Sequence, residues 1–242
     1  SVFVGSAAIA NGAVAVPTGA VTINDTFSGA NTASGDTFAV LGGSTVTINV
    51  PNTTAFGFAV GAAPVLNATG TALANAALSP TGDVTINNGT NNTAITAAAT
   101  VFTNGARTVS LTGLASAGGG SIIADVNSFA NAALTAVGVS ALATVNLTNV
   151  GGVVSIDSNA ITNLNITNSL KASATTAGPV FVGIAAGPGF TAIPAHTLNL
   201  NLNNTVAGTG VLDATATQIV VTTSGTAADT IGLGGPAVTN LT

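Results

Sequence analysis

Short segments in which apolar and polar residues alternate dominate this sequence. Between residues 44 and 50, Val46 and Ile48 alternate with Thr47 and Asn49. A period of two places apolar side chains on one face of a β-strand and polar ones on the other. The same alternation recurs along the chain, and it predicts inward positions at Val46, Ile48, Val84, Ile86, Val145, Leu147, Val154, Ile156, Leu164, Ile166, Leu198 and Leu200, and outward ones at Thr47, Thr85, Asn146 and Asn165.

Helix is predicted to be minor. Residues 121–134 and 134–143 are rich in Ala, but they lack the Glu, Lys and Arg that sustain long helices, so each predicts no more than a turn or two. β-Branched Thr and Val fit a pleated, half-buried surface. We therefore predict an all-β fold.

The spacing of the strands in the second half indicates how they stack. Predicted strands begin near residues 145, 154 and 164, so alternate strands lie 19 residues apart. A two-sided solenoid would return to the same sheet after about that length, which is close to two nonapeptide repeats. An antiparallel meander with short turns is the alternative.

The first half is less regular. Asn104-Gly105, between Val101-Phe102 and Val109, is a hairpin signal. We place a soft boundary there, with an irregular β-rich domain at 1–105 and a β-solenoid-like or stacked-sheet domain at 106–242.

Charge is the most unusual property of the composition. The 242 residues include seven Asp, one Lys and one Arg, so 4% are charged against about a quarter in typical domains. A surface of Thr, Asn and Ser repels its own copies weakly, which favours self-association. Arg107 and Lys171 cannot build a basic patch, which argues against nucleic-acid binding.

Composition also excludes several other classes. Without Cys and with one His, zinc and iron sites of ordinary ligand sets are excluded. No apolar stretch reaches the roughly 20 residues of a transmembrane helix. We expect a protein secreted to the cell surface, because bulk extracellular proteins often avoid the residue types that are missing here.

No catalytic arrangement is evident. His196 is the one histidine, no G-x-S-x-G elbow is present, and nothing links His196 to a particular Ser or Asp. We predict a solvent-facing residue at a strand edge and no enzymatic activity. A polysaccharide-cleaving β-helix is disfavoured because the Asp residues are dispersed.

The acids suggest a metal. All seven are Asp, and Asp25, Asp36 and Asp229 share the phrase Asp-Thr-apolar. Carboxylate and carbonyl oxygens suit Ca²⁺, so these three residues are candidate calcium ligands, with Asn24 and Asn31 as neighbours. The alternative is that each Asp caps a turn through its own backbone.

Six segments carry a family resemblance: Val21–Gly29, Ser34–Phe38, Ala143–Leu147, Ser155–Ile166, Thr197–Asn201 and Gly225–Ile231. Together they resemble the Thr-, Ala-, Gly- and Asn-rich body of RTX-type, type-I-secreted bacterial surface-layer (S-layer) proteins, although intact G-G-x-G-x-D repeats are missing. The resemblance implies export, folding on Ca²⁺ outside the cell and assembly into a lattice that coats it.

We therefore expect an extracellular structural protein that self-assembles into a surface layer or filament on a bacterial cell. Its expected partners are copies of itself, with a cell-surface polysaccharide as a further candidate. The alternative is a Thr-rich β-solenoid adhesin or ice-binding module.

Overall fold

The chain folds into two parallel β-sheets that stack on one another, as in a β-solenoid. The computed structural model describes residues 1–6, 15–25, 36–50, 56–89, 97–114, 120–129, 139–168, 179–183, 194–205, 209–226, 229, 231–235 and 240–241. The strands of this described part are β1 (Val2–Val4), β2 (Val21–Asn24), β3 (Asp36–Val40), β4 (Val46–Asn49), β5 (Phe56–Val60), β6 (Val84–Asn87), β7 (Ala98–Thr103), β8 (Thr108–Thr112), β9 (Ser121–Asp125), β10 (Thr144–Thr148), β11 (Val154–Asp157), β12 (Asn163–Thr167), β13 (Pro179–Val182), β14 (His196–Asn203), β15 (Thr209–Asp213), β16 (Ala216–Ser224), β17 (Ile231–Gly234) and β18 (Asn240–Leu241).

Consecutive strands alternate between the two sheets. The odd-numbered strands form one nine-stranded sheet, the odd sheet, and the even-numbered strands form the other, the even sheet. Every strand pair is parallel, and neighbours within a sheet are two strands apart in the chain. One odd strand and the even strand that follows it make one rung of the stack.

The core lies between the sheets and consists of aligned aliphatic side chains. In the even sheet, Ile48, Ile86 and Leu111 occupy successive strands at one register position, and all three are buried. In the odd sheet, Phe38 stacks on Phe58 with ring centroids 5.7 Å apart. All twelve predicted inward residues are buried, and the four predicted outward ones are partly exposed, so the predicted sidedness is confirmed.

Rung length, counted in residues between paired positions, varies widely. Asn146 pairs with Asn165, 19 residues later, as the solenoid prediction requires. Asn165 pairs with Asn201 after 36 residues, and Asn24 is 25 residues from its partner Asn49. The parallel pairing excludes the antiparallel meander for these strands.

A left-handed residue ends several even strands. Asn149, Asn168 and Asn204 have φ angles of 51°, 49° and 54° and directly follow β10, β12 and β14. Gly113 and Gly225 occupy the same place after β8 and β16. Asn and Gly tolerate this conformation best, so they mark where the chain leaves the even sheet.

Two local predictions need correction. The Asn104-Gly105 hairpin is wrong: β7 and β8 flank this turn but lie in opposite sheets, because Val101 and Val109 both enter the core between them. In the Ala-rich segment 121–134, residues 121–125 form β9, and the helical turn is a 3₁₀ turn at Val126–Ser128; residues 130–138 lie outside the described part. A second 3₁₀ turn spans Ala76–Leu78. The boundary near residue 105, which β7 and β8 flank, stays a prediction.

Candidate functional site

The outer surface of the even sheet, here called the polar face, carries a hydroxyl or amide at two aligned outward positions of each even-numbered strand from β2 to β16, and Val220 occupies a further outward position on β16. The parallel register aligns these side chains into two columns. The columns are Thr22, Thr47, Thr85, Ser110, Asn146, Asn165, Asn201 and Thr222, and Asn24, Asn49, Asn87, Thr112, Thr148, Thr167, Asn203 and Ser224.

Hydrogen bonds between side chains run along the first column. Asn201 donates from its amide to Oδ1 of Asn165 (2.7 Å), Asn165 donates to Oδ1 of Asn146 (2.6 Å), and Asn146 donates to the hydroxyl of Ser110 (2.9 Å). Because an amide has two N–H groups and an oxygen with two lone pairs, each bridging Asn keeps hydrogen-bonding capacity for an outside partner. The ladder therefore orients a row of polar groups towards solvent.

The outer surface of the odd sheet, here called the apolar face, has a different chemistry. Phe3 is 71% exposed, Leu212 and Val153 are each 38% exposed, and their neighbours are mostly small. The central column of this face consists of Phe3, Ala39, Ala59, Thr100, Ile122, Ser155, Phe181, Leu212 and Gly234.

Several Asp side chains instead bind backbone N–H groups near the ends of strands, where the chain passes between the sheets. Asp83 accepts backbone N–H bonds from Arg107 (3.0 Å), which precedes β8, and from Thr108 (2.9 Å), its first residue. Asp125 is fully buried and accepts N–H bonds from Ala141 (2.7 Å) and Leu142 (3.2 Å) just ahead of β10. These carboxylates act as structural clamps between segments of backbone.

Two of the predicted calcium ligands, Asp25 and Asp36, flank the connection from β2 to β3, and the third, Asp229, lies between β16 and β17. Asp25 directly follows β2, and Asp36 begins β3. Asp229 accepts hydrogen bonds at Oδ1 from both the backbone N–H (2.7 Å) and the hydroxyl (3.0 Å) of Thr205. Asn31 lies outside the described part, within which no three His, Cys or acidic side chains group as metal ligands would. Calcium at Asp25, Asp36 and Asp229 stays a prediction.

A pair of ionisable side chains joins the two sheets. Asp213 ends β15. In the odd sheet it occupies the register position that Val182 fills in β13 and Ile156 fills in β11, so its carboxylate points into the core. His196 begins β14 in the even sheet, and its Nε2 lies 3.0 Å from Oδ2 of Asp213. The ring N–H is not aligned on that oxygen, so the contact is an ion pair more than a linear hydrogen bond.

The other partners of this pair favour the charged form of His196. Oδ1 of Asp213 accepts backbone N–H bonds from Thr215 (3.0 Å) and Ala216 (2.8 Å), and Nδ1 of His196 lies 3.0 Å from the carbonyl oxygen of Pro194. Both ring nitrogens therefore lie near acceptor oxygens, an arrangement that favours the doubly protonated imidazolium. Burial opposes that charge, but Asp213, helped by Pro194, outweighs it and raises the pKa of His196 above 6.5.

The solvent-facing assignment of His196 is wrong. Its side chain is 14% exposed, and Asp213 is its ionic partner. A register shift between His196 and Thr197 breaks the alternation there, so the sequence pattern could not show where the ring points. The available signal was Val211-Leu212-Asp213, in which the alternation places an acid at an inward position.

Comparison with known proteins identifies no relative: no family model matches the chain, and neither a curated protein nor a solved structure is significantly similar. In the described part of the chain, no helix has the length and apolar character needed to cross a membrane.

Proposed function

We propose that this chain is an extracellular structural protein that self-assembles into a surface layer or filament on a bacterial cell. The observation that carries the proposal is that neither outer face has a charged side chain at the aligned outward positions of its described strands. Asp83, Asp125 and Asp213 lie instead at corners and engage backbone N–H groups. Uncharged faces meet copies of themselves with little repulsion.

Short side chains support the same proposal. Thr, Ala, Ser and Asn lose little rotamer freedom when a surface is covered, so ordering such a face costs little entropy. A cell-surface polysaccharide is a further candidate partner, for which the polar face offers amide and hydroxyl groups. We propose no enzymatic role, since both nitrogens of His196 are already engaged.

In this proposal, bound Ca²⁺ stabilises the folded chain. Asp25 and Asp36 flank one connection between the sheets, and a cation bound there would hold that connection. Isothermal calorimetry of Ca²⁺ binding to the wild type and to the Asp25→Asn/Asp36→Asn double variant tests it. If the double substitution changes neither the heat of Ca²⁺ binding nor assembly, these Asp residues do not bind a stabilising Ca²⁺. The proposal of self-assembly then stands without calcium.

A second function has a specific observation in its favour. The polar face repeats hydroxyl and amide groups in two columns over eight strands, which suits an adhesin or an ice-binding module. An ice-recrystallisation assay tests it, with Thr85→Lys on the polar face and Ala59→Lys on the apolar face as the matched control. Activity lost in the first variant alone supports ice binding, and absence of activity in the wild type rules it out.

Electron microscopy tests the leading proposal. Negatively stained wild-type protein at neutral pH is expected to show ordered sheets or filaments, and the same sample with a chelator tests the calcium part. Isolated particles at every concentration would contradict self-assembly.

A further inference from the structure

The apolar face varies in side-chain size in an ordered way from β1 to β17. Phe3 stands on its first strand, small residues follow on β3 and β5, and Phe181 and Leu212 stand on β13 and β15. Gly234 ends the series on β17, where the side chain of Leu212 lies beside it. The face is therefore raised at some strands and flat at others.

We propose that the apolar face binds the apolar face of a second copy about a two-fold axis that lies in the interface, parallel to the strands, at β9. This inference rests on the self-association proposed above and names the surface of one of its contacts. Such an axis reverses the order of the strands, so that β1 of one copy lies opposite β17 of the other, and β3 opposite β15.

Large residues then meet small ones across the interface. Phe3 lies opposite Gly234, Leu212 lies opposite Ala39, and Phe181 lies opposite Ala59. The two hydroxyl residues of the column, Thr100 and Ser155, lie opposite each other, and Ile122 on β9 lies on the axis and meets its own copy. These pairs follow from the register of the odd sheet alone.

The neighbouring column, two residues earlier along the chain and for some strands just before the strand begins, shows the same complementarity. Thr37 lies opposite Gly210, and Ala98 lies opposite the exposed Val153. Because the axis runs along the strands, each column meets itself, so both columns satisfy one operation. An isologous contact of this kind closes a dimer.

The other way to pair the two faces fits poorly. An axis along the stack would set each strand opposite its own copy, so that Phe181 would meet Phe181 and Ala59 would meet Ala59. Large residues would then hold the sheets apart and leave voids between the small ones. Interfaces pack about as densely as protein interiors, so the reversed arrangement is favoured.

Area and charge set the expected strength of the contact. Nine strands about 4.8 Å apart, with about four residues across at about 3.3 Å each, give a face of roughly 500 Å² per copy. A stable interface usually buries about 800 Å² per partner. The outward columns of the described strands carry no charge that would oppose contact, so we expect a dimer that dissociates on dilution and does not weaken in salt.

Single-cysteine variants test the arrangement, since the chain has no cysteine of its own. Ile122→Cys places a thiol on the axis and is expected to cross-link to itself with a short bismaleimide. Ala59→Cys is expected not to, because four strand steps, about 19 Å, separate it from its own copy. A mixture of Ala39→Cys and Leu212→Cys chains is expected to form a cross-linked pair. Thr47→Cys on the polar face is the control, and melting curves confirm that each variant folds.

The outcomes test the reversed dimer and the proposed self-association separately. Self-cross-linking confined to Ile122→Cys supports the reversed dimer, and equal cross-linking at Ala59→Cys overturns it in favour of the other axis. A wild type that associates while Ile122→Cys gives no cross-link overturns this interface and leaves the proposed function standing. A wild type that sediments as a monomer overturns both.

Discussion

Asn165 donates a 2.6 Å hydrogen bond to the side-chain oxygen of Asn146, the residue that occupies the same position one rung earlier. The bond joins the side chains of neighbouring strands on the outer surface, where water competes for both amides. Its contribution to stability is therefore modest, and a coupling measurement isolates it better than a single substitution.

We expect a double-mutant cycle with Asn146→Ala and Asn165→Ala to give a coupling free energy of about 0.5–1 kcal/mol. Urea denaturation of the four proteins measures it. The control cycle pairs Asn146→Ala with Asn49→Ala, three strands away on the same sheet, where we expect coupling close to zero. Equal coupling in the two cycles would show that the ladder does not act as a set of local bonds.

The His196–Asp213 pair predicts that stability falls as the pH rises above about 6.5. The pKa of His196 is raised in the folded protein, so its contribution is fully present below the unfolded pKa of 6.5 and is lost as the pH passes through the folded pKa. Melting temperatures measured from about pH 6 to about pH 9 are expected to decline over that window.

His196→Gln removes the titrating group and is the matched variant. It is expected to be less stable than the wild type at about pH 6 by roughly 1–3 kcal/mol, because Asp213 stays buried with its two backbone donors but no cation. The melting temperature of this variant is expected to fall much less between about pH 6 and about pH 9 than that of the wild type. A decline in melting temperature of equal size in both proteins would show that another titratable group causes it.

Two glycines in turns give a matched pair of substitutions. A Cβ at Gly82 would overlap the carbonyl oxygen of Ser44 in the preceding rung, whereas one at Gly19 would meet nothing within 4 Å. We expect Gly82→Ala to lower the free energy of unfolding by roughly 3 kcal/mol, and Gly19→Ala to change it by less than about 1 kcal/mol. Thermal or urea denaturation measures both. A small effect at Gly82 would mean that adjacent rungs are not packed as closely as this contact requires.

Strand sidedness could be predicted from the sequence because one face of each strand is buried and the side-chain period is two. The 19-residue step from Asn146 to Asn165 was visible because only short turns separate the strands. The 36-residue step to Asn201 could not be predicted, because the long segments between these strands carry no signal of which strands will pair.

The chemistry of the faces was harder to predict, because it depends on register between distant strands. Asn104-Gly105 favours a tight turn locally, but the core between the sheets determines where Val101 and Val109 go, and this overrides the hairpin. Likewise, the partner of His196 follows from a shift in register and not from any motif.

Sedimentation velocity over a concentration series, at neutral pH and at low and high salt, tests most directly whether the uncharged faces drive self-association. We expect the weight-average sedimentation coefficient to rise with protein concentration and to change little with salt, because the outward positions of the described strands carry no charge. A single species of 22.8 kDa whose sedimentation does not depend on concentration would contradict self-association.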